Sequence, residues 1–104
     1  MLEISSTLRK SIEKFLQEVQ LRYNINAAYL YGSQVKGTAT VWSDIDVALV
    51  SRDFSNDIFE ERVLLMRLAA PIDERIEPYP IPEAMFNETN PLASEIQRHG
   101  LRLI

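Results

Sequence analysis

Two aspartates stand one residue apart in Asp44-Ile45-Asp46, and a Gly32-Ser33 pair precedes them across ten intervening residues. In an extended chain, residues two apart face the same way, so the two carboxylates lie side by side with their backbones about 6 to 7 Å apart. Acids that close repel each other, and a cation relieves the repulsion. Mg²⁺ suits the position because it takes a few carboxylates and completes its octahedron with water and phosphate oxygens. Gly32 has no Cβ to block a phosphate, and Ser33 offers a hydroxyl and an amide to phosphate oxygens. Gly37 supplies a left-handed turn and Lys36 a nearby positive charge. Together these residue types form a cradle for a triphosphate beside a metal-binding pair.

The elements that position them follow from periodicity. From Ser6 to about Tyr23, Leu8, Ile12, Phe15, Leu16, Val19 and Tyr23 recur at helical spacing, with Ser5 or Ser6 as cap. Asn24-Ile25-Asn26 turns the chain into a short apolar strand, Ala27 to Tyr31, that stops at Gly32. A loop with a helical piece around Gln34 to Lys36 leads to a second strand, Asp44 to Val50, whose charges lie at its start and whose remainder reads as buried. A second long helix spans Asp57 to Ala70 and stops at Pro71. Ile72 to Glu77 reads as a third strand with Asp73, Arg75 and Glu77 on one face, broken off by Pro78, Pro80 and Pro82. A helical turn over Glu83 to Phe86, a helix from Pro91 to His99 stopped by Gly100, and a terminal strand or tail complete the chain. The order predicts an α/β fold, helices packed on a small mixed sheet.

Gly32-Ser33, ten residues, then Asp44-Ile45-Asp46 resembles the signature of the DNA polymerase beta-like nucleotidyltransferase superfamily, and in particular its minimal nucleotidyltransferases. The resemblance implies that Asp44 and Asp46 hold two Mg²⁺ ions and that a third acid on a neighbouring strand binds one ion and helps deprotonate an attacking hydroxyl. Glu77 is the better placed candidate for that acid, at the end of Arg75-Ile76-Glu77-Pro78, with Asp73 as the alternative; the family more often has Asp here. The implied reaction is attack of a hydroxyl on the α-phosphate of ATP or another nucleoside triphosphate, with release of pyrophosphate. Gly32 and Ser33 would bind the nucleotide, with Lys36 and Ser43 in second rank, since those two residue types more often serve as a solvated side chain and a turn cap. Small members of this family occur as antitoxin partners of HEPN proteins in toxin–antitoxin pairs, and some transfer AMP to the HEPN toxin.

Composition bounds these readings. A length of 104 residues, 46% hydrophobic and 25% charged, fits one soluble domain over residues 1–104. Eleven basic against fifteen acidic side chains leave a formal net charge of -4, which disfavours a strong direct grip on nucleic acid. The chain has no cysteine, which excludes disulfides, thiolate metal sites and cysteine nucleophiles and suits the cytoplasm. No stretch reads as a leader or as a membrane span.

The chain ends about where the catalytic core is complete, so the acceptor is expected from a HEPN protein or from a second copy in a homo-oligomer. A contrasting expectation is a catalytically idle module that neutralises its partner by covering it; the apolar Leu101, Leu103 and Ile104 would suit either role. Other residues read as structural. His99 complements a helix end, Trp42 packs beneath the loop in preference to stacking a base, Arg75 balances its flanking acids or contacts a phosphate, and Tyr29, Tyr31, Phe15, Phe59 and Met66 read as core or helix-packing residues.

Overall fold

The computed structural model describes residues 5–40 and 42–104. The reading of the first residues as free of a leader falls partly on Met1 to Ile4, outside the described residues. Helix α1 (Ser6–Gln20) starts on Ser5, whose Oγ accepts from the Leu8 amide at 3.1 Å, and it buries the predicted stripe Leu8, Ile12, Phe15, Leu16 and Val19. The helix ends before Tyr23, whose ring instead leans on Phe54 at 5.0 Å between centroids.

Strand β1 (Ala27–Tyr31) is followed by the one-turn helix α2 (Ser33–Lys36), strand β2 (Ile45–Ser51), helix α3 (Ile58–Ala69), strand β3 (Ile76–Pro82), a 3₁₀ turn (Glu83–Met85), helix α4 (Pro91–His99) and the two-residue strand β4 (Leu101–Arg102). The sheet order is β3-β2-β1-β4, with β1 antiparallel to both β2 and β4, and β2 parallel to β3. Helices on a small mixed sheet are the architecture the element order predicts.

The third strand corrects the sequence reading. It begins at Ile76 rather than Ile72 and runs through Pro78, Pro80 and Pro82 instead of ending before them. The reason lies in the register. The Ile45 amide donates to the Arg75 carbonyl at 2.7 Å, which turns Arg75 and every second residue after it toward β2. The three prolines occupy the intervening positions, whose amide side faces the free edge of the sheet, where a missing N–H costs no ladder bond. Asp73 therefore precedes the strand and does not share a strand face with Glu77.

The two faces of the sheet are covered unequally. Ala28, Leu30, Ile45, Val47, Leu49 and Ile76 point to the face packed by α1 and by Leu65 and Ala69 of α3. On the opposite face Ala27, Ala48, Val50 and Ile81 pack against Ile96 of α4, with Tyr29, Tyr31 and Phe86 at the margin. Tyr29 keeps the packing role read for it, with Phe86 at 5.5 Å between centroids.

Other core expectations are overturned. Phe59 and Met66 lie on the outer side of α3, 80% and 41% exposed, because the buried stripe of that helix is Glu61, Leu65 and Ala69. Glu61 tolerates burial because its carboxylate accepts from the Tyr23 hydroxyl at 3.2 Å and the Ser55 amide at 2.9 Å. Leu101, Leu103 and Ile104 pack against the main core rather than projecting from it; amides of Leu103 and Ile104 reach the Ala28 carbonyl. Among the described residues no helix is long and apolar enough to cross a membrane.

Candidate functional site

The site lies where β1 ends and β2 and β3 begin, on the face that α4 leaves partly open. Tyr31, Asp46 and Glu77 are register partners across three strands, so their side chains form one row on that face. Directly paired positions bring Cβ atoms to about 4.5 to 5.5 Å. Asp44 precedes β2, whose first residue is Ile45; it is exposed, while Asp46 is half-buried. The expectation that both aspartates belong to the strand is corrected, and their charges still act on each other. Burial, then the charges of Asp44 and Glu77, push the Asp46 carboxyl above its ordinary value, while Arg62 pulls the other way.

The phosphate-cradle candidates are joined to this row by direct contact. Gly32 adopts φ 78 and ψ -147, a backbone conformation that side chains rarely tolerate, and a Cβ there would collide with the Asp46 carboxylate. Gly37 closes α2 with φ 76 and ψ 14, and a Cβ there would meet open space. Gly32 is thus required twice, for its dihedral and for the room it leaves Asp46. No side chain caps α2, and its first two bonds run from Val35 and Lys36 amides to the Gly32 carbonyl. Gln34 Nε2 donates to the Asp44 carbonyl at 3.2 Å, pinning α2 to the start of β2.

The second-rank candidates are placed in keeping with their bland readings. Ser43 Oγ accepts from the Thr40 amide at 2.8 Å and its own amide donates to the Thr40 carbonyl at 3.1 Å, so it closes a turn. Lys36 is exposed, with its Nζ 4.0 Å from Glu95 of α4. Trp42 does not pack beneath the loop; it is 88% exposed next to Ser43. Asp73 is bound to Arg75 through Oδ1 at 3.1 Å and Oδ2 at 2.9 Å, which holds its carboxyl below the ordinary range. Arg75 balances Asp73 alone of its two flanking acids, and Glu77 takes a different cation.

That cation is Arg62 of α3, which the sequence reading did not single out. Its Nη2 donates to Glu77 Oε2 at 3.0 Å, its Nε donates to the Pro78 carbonyl at 3.2 Å, and its guanidinium lies 4.5 Å from the centre of the Tyr79 ring. No sequence signal marks it, because a helix arginine beside two glutamates reads as solvated surface. Tyr31 is half-buried, edge-on to Tyr79 at 5.8 Å between centroids, and burial beside Tyr79 and Asp46 raises its hydroxyl pKa.

A cleft of about 620 Å³ opens beside the cradle, with Tyr31, Gly32, Val35 and Lys36 on one wall and Leu92, Glu95 and His99 of α4 on the other. Its size is that of a small-molecule site. His99, read as a helix-end residue, is indeed the last residue of α4 and also lines this cleft.

The donor chemistry fits a divalent, oxygen-seeking ion: three carboxylates at adjoining positions, one of them destabilised by the charge of the other two. Among the described residues no three ligating side chains converge as a ready cage, and Glu77 is turned to Arg62.

Comparison with known proteins places the chain in a family and a fold. A family model described as a nucleotidyltransferase domain matches residues 12–91, a span that includes Gly32, both motif aspartates, Arg62 and Glu77. The chain is similar in structure to a candidate nucleotidyltransferase from Sulfolobus solfataricus, with a TM-score of 0.59 at 19% identity over 98% of this chain and 89% of that one. At that identity the likeness speaks for the fold. No curated protein matches the chain.

Proposed function

Because the chain belongs to the nucleotidyltransferase domain family, we propose that it transfers a nucleoside monophosphate, AMP from ATP, to a hydroxyl on a partner protein. The observation that carries this reading is the contact between the two halves of the motif: the Asp46 carboxylate packs against Gly32, so a phosphate cradled at Gly32 and Ser33 lies beside the acids.

In this mechanism Ser33 and the first amides of α2 hold the phosphates, and Lys36 exchanges its long contact with Glu95 for a phosphate oxygen. Asp44, Asp46 and Glu77 would hold two Mg²⁺ ions, whose chemistry would be to offset charge on the attacking and leaving oxygens. The acceptor oxygen bonds to the α-phosphorus, the bond from that phosphorus to the bridging oxygen breaks, and pyrophosphate leaves. The hydroxyl proton passes to Glu77. The base and ribose occupy the cleft between α2 and α4. The chain's part is placement and charge, and these set the rate.

The resemblance to minimal nucleotidyltransferases supports a HEPN toxin as the acceptor and an antitoxin role in the cytoplasm, with a second copy of this chain as the other candidate acceptor. One observation favours a different reading. Glu77 is held by Arg62 rather than turned to Asp46, as it would be in an idle module that neutralises its partner by binding alone. Incubation with α-labelled ATP, Mg²⁺ and a HEPN partner separates them. Label on the partner, lost with Asp46→Asn, is the expected result, and label on the chain itself identifies a self-acceptor. A tight complex with no label on either protein overturns the enzymatic reading in favour of the module.

A further inference from the structure

Arg62 reaches the site from the wrong side of the sheet. Helix α3 packs on the face that α1 also covers, whereas Glu77 and Tyr79 occupy strand positions on the opposite face. The arginine spans the difference by running past the free edge of β3. Its three contacts fall on three successive residues: the carboxylate of Glu77, the outward carbonyl of Pro78 and the ring of Tyr79. The Pro78 carbonyl is available because β3 turns its proline positions away from β2. A planar fork with separate donors for the carbonyl and the carboxylate, lying against an aromatic ring, is a pre-organised arrangement that a lysine cannot reproduce. Arg62 and Glu77 side chains are 37% and 26% exposed, so this is a sheltered pair rather than a fully solvated one.

We propose that Arg62 is a positioning residue that holds Glu77 turned toward the free edge of β3, so that Glu77 joins Asp44 and Asp46 around a divalent cation only when released from the guanidinium. The proposal rests on the reading of those three acids as the metal site. It explains why Asp46 and Glu77 are register partners and yet, among the described residues, the three acids form no metal-holding cluster. Arg62 is then an internal counter-ion of Glu77, and a cation that recruits Glu77 must compete with it.

The test is Mn²⁺ affinity of the full chain, measured by the electron paramagnetic resonance signal of free Mn²⁺, for wild type, Arg62→Gln, Arg62→Lys, Glu77→Gln and the Arg62→Gln/Glu77→Gln double variant. Freeing Glu77 in Arg62→Gln is expected to tighten binding about fivefold, the scale of one sheltered ion pair. Arg62→Lys, which keeps the charge and loses the fork, is expected to tighten it by a smaller factor, and it carries the test if Arg62→Gln does not fold. In the Glu77→Gln background the Arg62→Gln gain should shrink, because its partner is gone. A gain of equal size in both backgrounds, or Arg62→Lys binding as wild type does, would show a general field effect and overturn the proposal. Binding that Asp46→Asn abolishes but Arg62→Gln leaves unchanged sinks the role of Arg62 alone. Absence of Mn²⁺ binding in wild type removes the metal reading and this proposal with it.

Discussion

Asp46 and Asp73 lie near the same end of the sheet, one just inside β2 and the other just before β3, and the fold treats them in opposite ways. Asp73 is given a two-point partner in Arg75, assisted by Ser11 of α1, and its carboxyl is held below the ordinary range. Asp46 is half-buried against Gly32 and faces the charges of Asp44 and Glu77, with Arg62 as partial relief, and its carboxyl is pushed up. One acid stabilises the chain by being ionised; the other is ionised at a cost. A structural carboxylate is matched from within the chain, whereas a carboxylate left in deficit is, on the proposed function, where a cation from outside would bind.

The comparison is broken most decisively at Asp46. Replacement by Asn is expected to lower labelled-nucleotide transfer on the order of a thousandfold, while raising the thermal midpoint in metal-free neutral buffer. The sign follows from linkage. A raised native pKa means that the stability Asp46 contributes is complete below its ordinary value of 3.8 and is lost as pH rises through the raised value. Neutralising the side chain therefore restores stability above that window, and a lowered midpoint would contradict the comparison.

The next largest effect is expected at the glycines. Gly32→Ala should cost about 2 kcal/mol in urea unfolding and displace Asp46, with loss of transfer. Gly37→Ala, at a similar φ but facing open space, should cost about 1 kcal/mol and leave transfer close to wild type. Equal losses of transfer in both would mean that the loop conformation matters and the contact with Asp46 does not.

The smallest effect sharpens the other side of the comparison. Asp73→Asn should lower stability by about 1 kcal/mol at neutral pH, with transfer unchanged. Because the native pKa of Asp73 is lowered, the contribution of this acid is complete above 3.8 and is lost as pH falls through the lowered value. The gap between wild type and variant should close in acid, as thermal melts at a series of pH values would show.

These two acids also mark how far the sequence could be read. Gly32, Ser33 and the Asp44-Ile45-Asp46 run are legible because the motif is local: a strand ends, a glycine turns, and a strand begins. Helix α1 is legible for the same reason, its burial following spacing alone. Glu77 is preferred over Asp73 on sequence, yet the two are set on one strand face, because proline reads as a strand breaker; three prolines at alternate positions describe an edge strand whose donors face inward, which requires knowing the neighbour. The face of α3 is not legible because Glu61 is buried by the Tyr23 hydroxyl from a distant segment and by the Ser55 amide from the turn before the helix, which no periodicity reveals. Arg62 was invisible because it acts across the edge of the sheet.

The alternating prolines of β3 carry one more consequence. An exposed outer strand normally offers a row of amides onto which another chain can add its own strand, and that is a route to uncontrolled aggregation. Here the outward positions Pro78, Pro80 and Pro82 have no amide to offer, and the Pro78 carbonyl is already taken by Arg62. Strand addition is closed along this side of the molecule. A protein that docks here must be recognised by side chains, which leaves the acid-bearing end of the sheet next to an edge that other chains cannot extend.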